Sequence, residues 1–116
     1  MGSHKQYDLE VRTLEFARRV SALVERTPKT ISNIEYCKQI VRSSGSTGAN
    51  YIEANESFGK KDFLMRIKIC KKEAKETRYW LQLMKLHDTD TEEQSILLQE
   101  SGELMNIFGA ILRNSR

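Results

Sequence analysis

The sequence is poor in residues that interrupt helices and in residues that build enzyme sites. Its 116 residues include one proline, six glycines, two cysteines and two histidines. The two cysteines, Cys37 and Cys70, form neither a disulfide framework nor a zinc cluster. No purely apolar run exceeds three residues, which excludes a membrane-spanning segment. The apolar core of a signal peptide is also missing, so we expect a cytoplasmic protein.

The overall composition is that of one globular domain with a modest core. Hydrophobic residues make up 39% and charged residues 30% of the chain, too apolar for disorder and too polar for a membrane protein. The first four residues, MGSH, resemble the remnant of an expression tag. We therefore predict a tag remnant at residues 1–4 and a single domain over residues 5–116.

Charge is distributed unevenly along the chain, although the net charge is only +3. Residues 60–85 carry nine Lys or Arg against three Asp or Glu, a local charge of +6. Residues 86–116 carry two against six, a local charge of −4. Two helices with these charges could neutralise each other, or the basic one could meet an external anion.

The first of four helical patterns runs from about Asp8 to Arg26. Apolar residues recur at spacings of three, four and seven, which is typical of one face of an α-helix. Asp8 is a candidate N-cap. Pro28 disfavours helical geometry at the residue before it and therefore predicts the end of this helix.

The second pattern passes through the segment SSGSTGAN, which suggests a phosphate-binding loop at first sight. A P-loop needs a lysine after its last glycine and a strand before it, and neither is present. Steps of three and four instead continue through the segment without a break. We therefore predict a helix whose small residues let a neighbouring helix approach closely, namely Ser44, Gly45 and Gly48. The predicted seam is Ile34, Cys37, Val41, Ser44, Gly48, Tyr51 and Asn55.

The third and fourth patterns complete an all-helical chain. The third begins near Gly59, and its seam is Phe63, Ile67, Cys70, Ala74, Thr77, Leu81 and Met84. The fourth begins where Asp90 and Glu93 have the spacing of a capping box. No strand pattern occurs, and the connections are short. The sequence therefore predicts an all-α, antiparallel up-down-up-down four-helix bundle.

The amino-acid sequences of two segments resemble those of a known family. IVRSSGSTGANYIEANES and KKDFLMRIKICKKEAKETRYWLQLM are similar to the bacterial four-helix-bundle proteins encoded in intervening sequences of large-subunit rRNA genes. The accessory protein of diversity-generating retroelements, a basic pentamer that binds nucleic acid and a reverse transcriptase, is a more distant likeness. The resemblance implies a bacterial four-helix bundle that assembles as a homopentamer. It implies no established activity.

The third helix presents a basic face away from its seam. A solvated surface is one reading of this face, and a stripe that contacts phosphates is the other. No zinc knuckle, glycine-rich nucleotide loop or aromatic stacking motif accompanies it, so recognition of base sequence is unsupported. The residues predicted to contact RNA or DNA are Lys61, Lys68, Lys71, Lys72, Lys75 and Arg78.

The same helix carries a second, smaller apolar stripe formed by Ile69, Trp80 and Leu83. The stripe either widens the core of the bundle or forms an interface between copies of the chain. A large aromatic residue such as Trp80 is enriched in interfaces. We predict an oligomer interface at these three residues.

Catalysis and cofactor binding find little support in the sequence. Di-iron bundles need Glu-x-x-His pairs, and neither His4 nor His87 stands in that relation to a glutamate. Three helical acids, Glu53, Glu73 and Glu76, are expected to pair with Arg42, Arg66 or Arg78 instead of holding metal. Cys37 and Cys70 lie on predicted seams, where a cysteine packs as a small hydrophobe. We expect no catalytic residue, metal or cofactor.

The sequence thus favours a non-enzymatic, self-associating bundle whose third helix binds RNA or another nucleic acid without sequence preference. The alternative is an oligomeric scaffold or accessory protein whose client is another protein. In that case, the basic and acidic segments serve subunit pairing.

Overall fold

Four long helices account for nearly all of the computed structural model, which describes the backbone of residues 3–115 and the side chains of residues 8–115. They are α1 (Ser3–Arg26), α2 (Ile31–Asn55), α3 (Lys60–Leu83) and α4 (Thr91–Asn114). A short 3-10 helix, Asp88–Asp90, precedes α4. The bundle measures 44 × 22 × 19 Å. The predicted all-α, antiparallel four-helix architecture is confirmed.

The four helices do not pack against one another equally. α3 makes the most extensive contacts, with α2 on one side and α4 on the other, and α1 packs on α2. Of the neighbouring helix pairs, α1 and α4 make the fewest contacts. Long polar side chains therefore close the seam between α1 and α4. None of the described helices is both long and apolar enough to cross a membrane.

A buried asparagine holds one end of the bundle together. The side-chain amide of Asn33 donates to the carbonyl of Pro28 and to that of Lys85, both at 2.9 Å. Its side-chain oxygen accepts from the backbone amide of Lys85 at 3.0 Å. The Thr30 hydroxyl caps α2 by accepting from the Asn33 backbone amide. Asn33 thus ties the α1–α2 connection to the α3–α4 connection.

Two predicted helix starts differ from the structure. α1 continues past Asp8 to Ser3, so Asp8 is not an N-cap. Asp90 does occupy the N-cap position of α4, but its side chain forms no cap hydrogen bond and binds Arg26 instead. The predicted capping box is therefore wrong, because the first helix offers these acids stronger, charged partners. Of the predicted tag remnant, Met1 and Gly2 lie outside the described residues.

The core confirms the predicted seam of α3 and corrects that of α2. Ile67, Cys70, Ala74, Thr77 and Leu81 of α3 are buried. On α2, by contrast, Ile34 and Val41 are 39% and 45% exposed. The buried face is turned by about one residue, and its members are Asn33, Ile40, Ser43, Ser44, Thr47, Tyr51 and Ala54.

Hydroxyl groups make this polar face of α2 suitable for the core. The Thr47 hydroxyl donates to the Ser43 carbonyl at 2.9 Å, within α2. The hydroxyls of Ser43 and Thr77 lie 2.8 Å apart, across the α2–α3 contact. Because these hydroxyls are satisfied, burying them costs little, and their small size lets the helices approach closely.

Candidate nucleic-acid interface

The basic side chains predicted to contact phosphate lie along one outer side of α3. Each residue turns an α-helix by about 100°, so steps of three, four and seven keep them together and away from the buried seam. Five of them are exposed and the sixth is half-buried. In chain order they are Lys61, Lys68, Lys71, Lys72, Lys75 and Arg78.

Three arginines of α1 pair with the acids of α4. The arginines are spaced by seven residues, so they share one face of α1. That face is turned towards α4, and α1 and α4 make the fewest contacts of any neighbouring helix pair. The pairs are Arg12 with Glu100 at 2.6 Å and Glu103 at 2.7 Å, Arg19 with Glu93 at 2.6 Å, and Arg26 with Asp90 at 2.9 Å. Four of the six acids in the acidic segment are thus neutralised from α1.

Two of these ion pairs are bidentate, and the pKa values of Arg12 and Glu103 are shifted towards the charged forms. Arg12 and Arg19 each use two nitrogens on one carboxylate, the fork that favours guanidinium over ammonium. The bond to Glu100 raises the pKa of Arg12, against the opposing effect of burial. A bond from Gln99 and a second from Arg12 lower the pKa of Glu103. Arg12 and Glu103 are therefore both ionised at neutral pH.

The two acids in the middle of α3 share one arginine of α2. The Arg42 guanidinium bonds to Glu76 and lies 3.3 Å from Glu73. Burial alone would raise the pKa of Glu76, but bonds from Trp80 and Arg42 outweigh it and lower that pKa. The predicted pairing through Arg42 is confirmed. Arg66 instead binds Asn50, at 3.0 Å, and forms no ion pair among the described side chains.

The cations of the outer α3 face therefore form no direct ion pair with a described acid, although the charge of Lys72 helps to lower the pKa of Glu76. The acids that could have neutralised them are engaged by Arg12, Arg19 and Arg26 on one side of the bundle and by Arg42 on another. Over residues 8–115, none of the five lysines forms an ion pair, and neither does Arg78. The basic and acidic segments do not neutralise each other within the chain.

The α1 arginines that decide this arrangement were not singled out from the sequence. A signal for them exists, since Arg12, Arg19 and Arg26 recur every seven residues and so share one helix face. Their partners Asp90, Glu93 and Glu100, just before α4 and along it, are spaced by three and seven residues and so also share one face. Such a pattern predicts antiparallel pairing only when the order of the helices around the bundle is known.

The residues of the predicted oligomer interface are each half-buried. The Trp80 ring stacks on Tyr36 of α2 with 6.1 Å between centroids and meets Tyr79 edge-on at 5.1 Å. Its ring nitrogen donates to Glu76 at 3.2 Å. Ile69 and Leu83 are partly exposed on the same helix. Trp80 thus widens the contact between α2 and α3 and leaves part of its surface open.

The three small residues predicted to pack against a neighbour have different environments. Ser44 is buried. A Cβ placed on Gly48 would lie 2.9 Å from the Thr13 hydroxyl oxygen and 3.7 Å from the Thr13 carbonyl carbon, so this glycine permits the close approach of α1. Gly45 is exposed, and a Cβ there would meet nothing within 4 Å. Contrary to expectation, Gly45 makes no close contact with another helix among the described residues.

The two cysteines, which are the candidate nucleophiles of the chain, both have thiols with raised pKa values. Burial raises the pKa of the Cys70 thiol to about 12, so it carries a proton at neutral pH. Burial also raises the pKa of Cys37. The described residues contain no group of three or more His, Cys, Asp or Glu placed to hold a metal ion.

A cleft of about 590 Å³ opens at one end of the bundle, between Leu9, Tyr51, Phe63 and Ile107. Its lining is mainly apolar and includes Asp8 and Arg12.

Comparison with known proteins identifies close counterparts of this bundle. Residues 5–110 match the sequence profile of a family described as 23S rRNA-intervening sequence protein. A solved structure from Bacteroides thetaiotaomicron VPI-5482, described as a protein of unknown function from the S23 ribosomal protein family, superposes with a TM-score of 0.79. It is 32% identical, and the match covers 94% of this chain and 98% of that one. A search of curated proteins finds no match.

Proposed function

The chain belongs to the 23S rRNA-intervening sequence protein family, and from that premise we propose that it is a non-enzymatic, self-associating bundle that binds RNA. The outer face of α3 contacts the phosphates of the RNA and reads no base sequence. This role places the protein in the cytoplasm, where ribosomal RNA is found.

One observation carries the proposal: the six cations of the outer α3 face form no ion pair among the described residues, while four acids at and along α4 and the two acids in the middle of α3 pair with arginines of α1 and α2. A solvated face that carried both signs of charge would not support RNA binding. Its charges could pair with one another in exposed ion pairs, which contribute little to stability. Here one sign of charge is gathered on one side of one helix, which is the electrostatic footprint of a polyanion-binding surface.

An exposed aromatic ring adds to this face. Tyr79 follows Lys72 by seven residues and Lys75 by four, so all three share the outer side of α3. Its side chain is 55% exposed. A tyrosine ring can stack on any base, so Tyr79 would raise affinity for single-stranded RNA without selecting a sequence.

Self-association would raise the affinity for RNA by linking several weak phosphate-binding faces. We place the interface at Ile69, Trp80 and Leu83, whose apolar surface is only partly covered by the chain's own helices. Five copies, the number that the resemblance of the sequence implies, would present five basic faces to one RNA. Linked weak sites gain avidity by about 10²–10⁴ without any new contact.

Neutralising the centre of the basic face tests the proposal. The variant changes four exposed residues of α3 to glutamine: Lys68, Lys71, Lys72 and Lys75. The matched control removes the same charge from exposed residues elsewhere: Arg18, Lys29, Lys38 and Lys85. Binding of a single-stranded RNA oligonucleotide is measured by fluorescence anisotropy over a series of salt concentrations.

We expect the α3 variant to lose binding and the control to keep most of it. Each lost phosphate contact should make the plot of log Kobs against log salt shallower by about 0.7 for a single strand. Circular dichroism should show unchanged helix content in both variants, because all eight side chains are exposed. Equal binding by the two variants, or no binding by the parent at low salt, would contradict the proposal.

A protein-interaction scaffold is the second candidate, and exposed apolar side chains favour it. Leu14 on α1 and Val41 and Ile52 on α2 are 51%, 45% and 48% exposed. Val41 and Ile52 are three turns apart and therefore share one face of α2, and exposed apolar side chains on one face can mark a surface that binds another protein. Sedimentation at low and high salt, with and without RNA, separates the candidates. Under the scaffold hypothesis, salt weakens oligomerisation itself and RNA changes nothing.

A further inference from the structure

Two cations from different helices meet above a glycine of α4. Gly109 is buried at the contact between α3 and α4. A Cβ placed on it would lie 3.5 Å from Nη1 of Arg113 and 3.7 Å from Nζ of Lys71. These two nitrogens are therefore no more than about 7 Å apart, the sum of those distances.

The helix geometry accounts for this meeting. Side chains of an α-helix lean towards its N-terminus, so Arg113 covers the turn that contains Gly109, four residues earlier. Lys71 reaches the same spot from α3. One heptad earlier in α4, the nearest atom to a Cβ on Gly102 would be Nε of Arg78, at 3.9 Å. Cations of α3 thus lie over both glycines of α4.

Within residues 8–115, no acid balances the pair at Gly109. Neither Lys71 nor Arg113 forms an ion pair with a side chain of residues 8–115. The paired acids of α4 point towards α1, on the other side of the helix. The C-terminal end of the α4 dipole favours Arg113. It does not account for the approach of Lys71, whose charge repels that of Arg113 unless an anion lies between them.

We infer that Lys71 and Arg113 form a binding site for one phosphate group of an RNA backbone. The inference rests on the proposed RNA binding and adds α4, through Arg113, to a surface otherwise made by α3. Two charge-assisted hydrogen bonds of about 2.8 Å, together with the width of a phosphate group, span the distance between the two nitrogens. The absent side chain of Gly109 leaves the space that the phosphate oxygens occupy.

Removing the Arg113 charge gives the first test. Arg113→Gln is compared with Arg18→Gln, which removes the same charge from an exposed site on the outer side of α1. With a short single-stranded oligonucleotide, Arg113→Gln should make the plot of log Kobs against log salt shallower by about 0.7. Arg18→Gln should leave the slope at the parent value. Equal slopes for the two variants would refute the inference.

A carboxylate built into the site gives the second test. Gly109→Glu and Gly109→Gln have nearly the same size, and a Cβ at this position would make only ordinary contacts of 3.5–3.8 Å. The glutamate should occupy the place of the phosphate and weaken RNA binding by about tenfold or more relative to the glutamine, the loss of one charge-assisted hydrogen bond. Equal affinities of the two variants would refute the inference.

The outcomes also separate this site from the proposed function. If the parent binds RNA and loses binding when the four α3 lysines are changed, yet Arg113 and Gly109 variants match their controls, only the Lys71–Arg113 site is wrong. If the parent binds no RNA at low salt, both proposals fail.

Discussion

Two glycines of α2 should respond in opposite ways to the same substitution. Gly45 and Gly48 are three residues apart in one uninterrupted helix. Gly45 faces open space, whereas Gly48 lies against Thr13 of α1. Changing each to alanine therefore holds the helix and the chemistry constant and varies only the neighbour.

The expected magnitudes follow from these surroundings. An alanine in a helix interior is favoured over glycine by about 1 kcal/mol, which is the whole effect expected at Gly45. At Gly48 the new methyl would lie 2.9 Å from the Thr13 hydroxyl oxygen. That hydroxyl is held at 2.9 Å by the Leu9 carbonyl and is buried, so it cannot simply rotate away. Overpacking costs about 1–3 kcal/mol, so Gly48→Ala should be neutral to destabilising.

Thermal and denaturant unfolding followed by circular dichroism measures both effects. Gly45→Ala should raise the melting temperature by about 4 °C, and Gly48→Ala should leave it unchanged or lower it. Adding Thr13→Ala should relieve part of the Gly48→Ala penalty, giving a coupling energy of about 1 kcal/mol between the two sites. If Gly48→Ala stabilised the protein as much as Gly45→Ala, the close approach of α1 and α2 at this point would be refuted.

Three further predictions follow from buried or paired groups. Asn33→Ala should destabilise the fold by about 3 kcal/mol in urea unfolding, because it leaves both backbone groups of Lys85 without their partner. A loss below about 1 kcal/mol would contradict the role of Asn33 in joining the α1–α2 and α3–α4 connections. The lowered pKa of Glu76 means that its charge stabilises the fold above its ordinary pKa of 4.5 and that this contribution is lost as pH falls below it. The stability difference between the parent and Glu76→Gln should therefore be present near pH 7 and vanish in acid, and a constant difference would count against it. A thiol reagent near pH 8 should modify Cys37 before Cys70, whose pKa is about 12, and equal rates in the folded protein would show that Cys70 is not protected.

The sequence predicted the phase of α3 correctly and that of α2 incorrectly, and the difference has a physical reason. On α3 the buried residues are mostly more apolar than their neighbours, many of which are charged, so the period of the apolar residues defines the face. On α2 the buried face contains Asn33, Ser43, Ser44 and Thr47, which are polar by any scale. Their burial depends on hydrogen bonds to carbonyls and to Thr77 of α3. Those partners are set by the tertiary structure and cannot be read from the local pattern.

The candidate site was predictable in part. The lysines of α3 follow from charge and helical spacing alone, because they need only be on one outer side. The partners of the acids did not follow, since a local capping signal at Asp90 and Glu93 competes with arginines more than 60 positions earlier in the chain. Arg113 was missed for a similar reason. Nothing near it in the sequence shows that Gly109 faces Lys71.

The chain uses arginine and lysine for different purposes, and the division bears on how it would meet RNA. Its carboxylate pairs between helices are made by Arg12, Arg19, Arg26 and Arg42 among the described residues. A rigid, planar guanidinium suits partners whose positions are fixed by the bundle. The outer face of α3 is instead mostly lysine, a hydrated point charge on a flexible stem. Such groups can follow phosphates at varied spacing, so this face favours affinity without sequence selection, and Arg113, like Arg78, would supply a contact of fixed geometry.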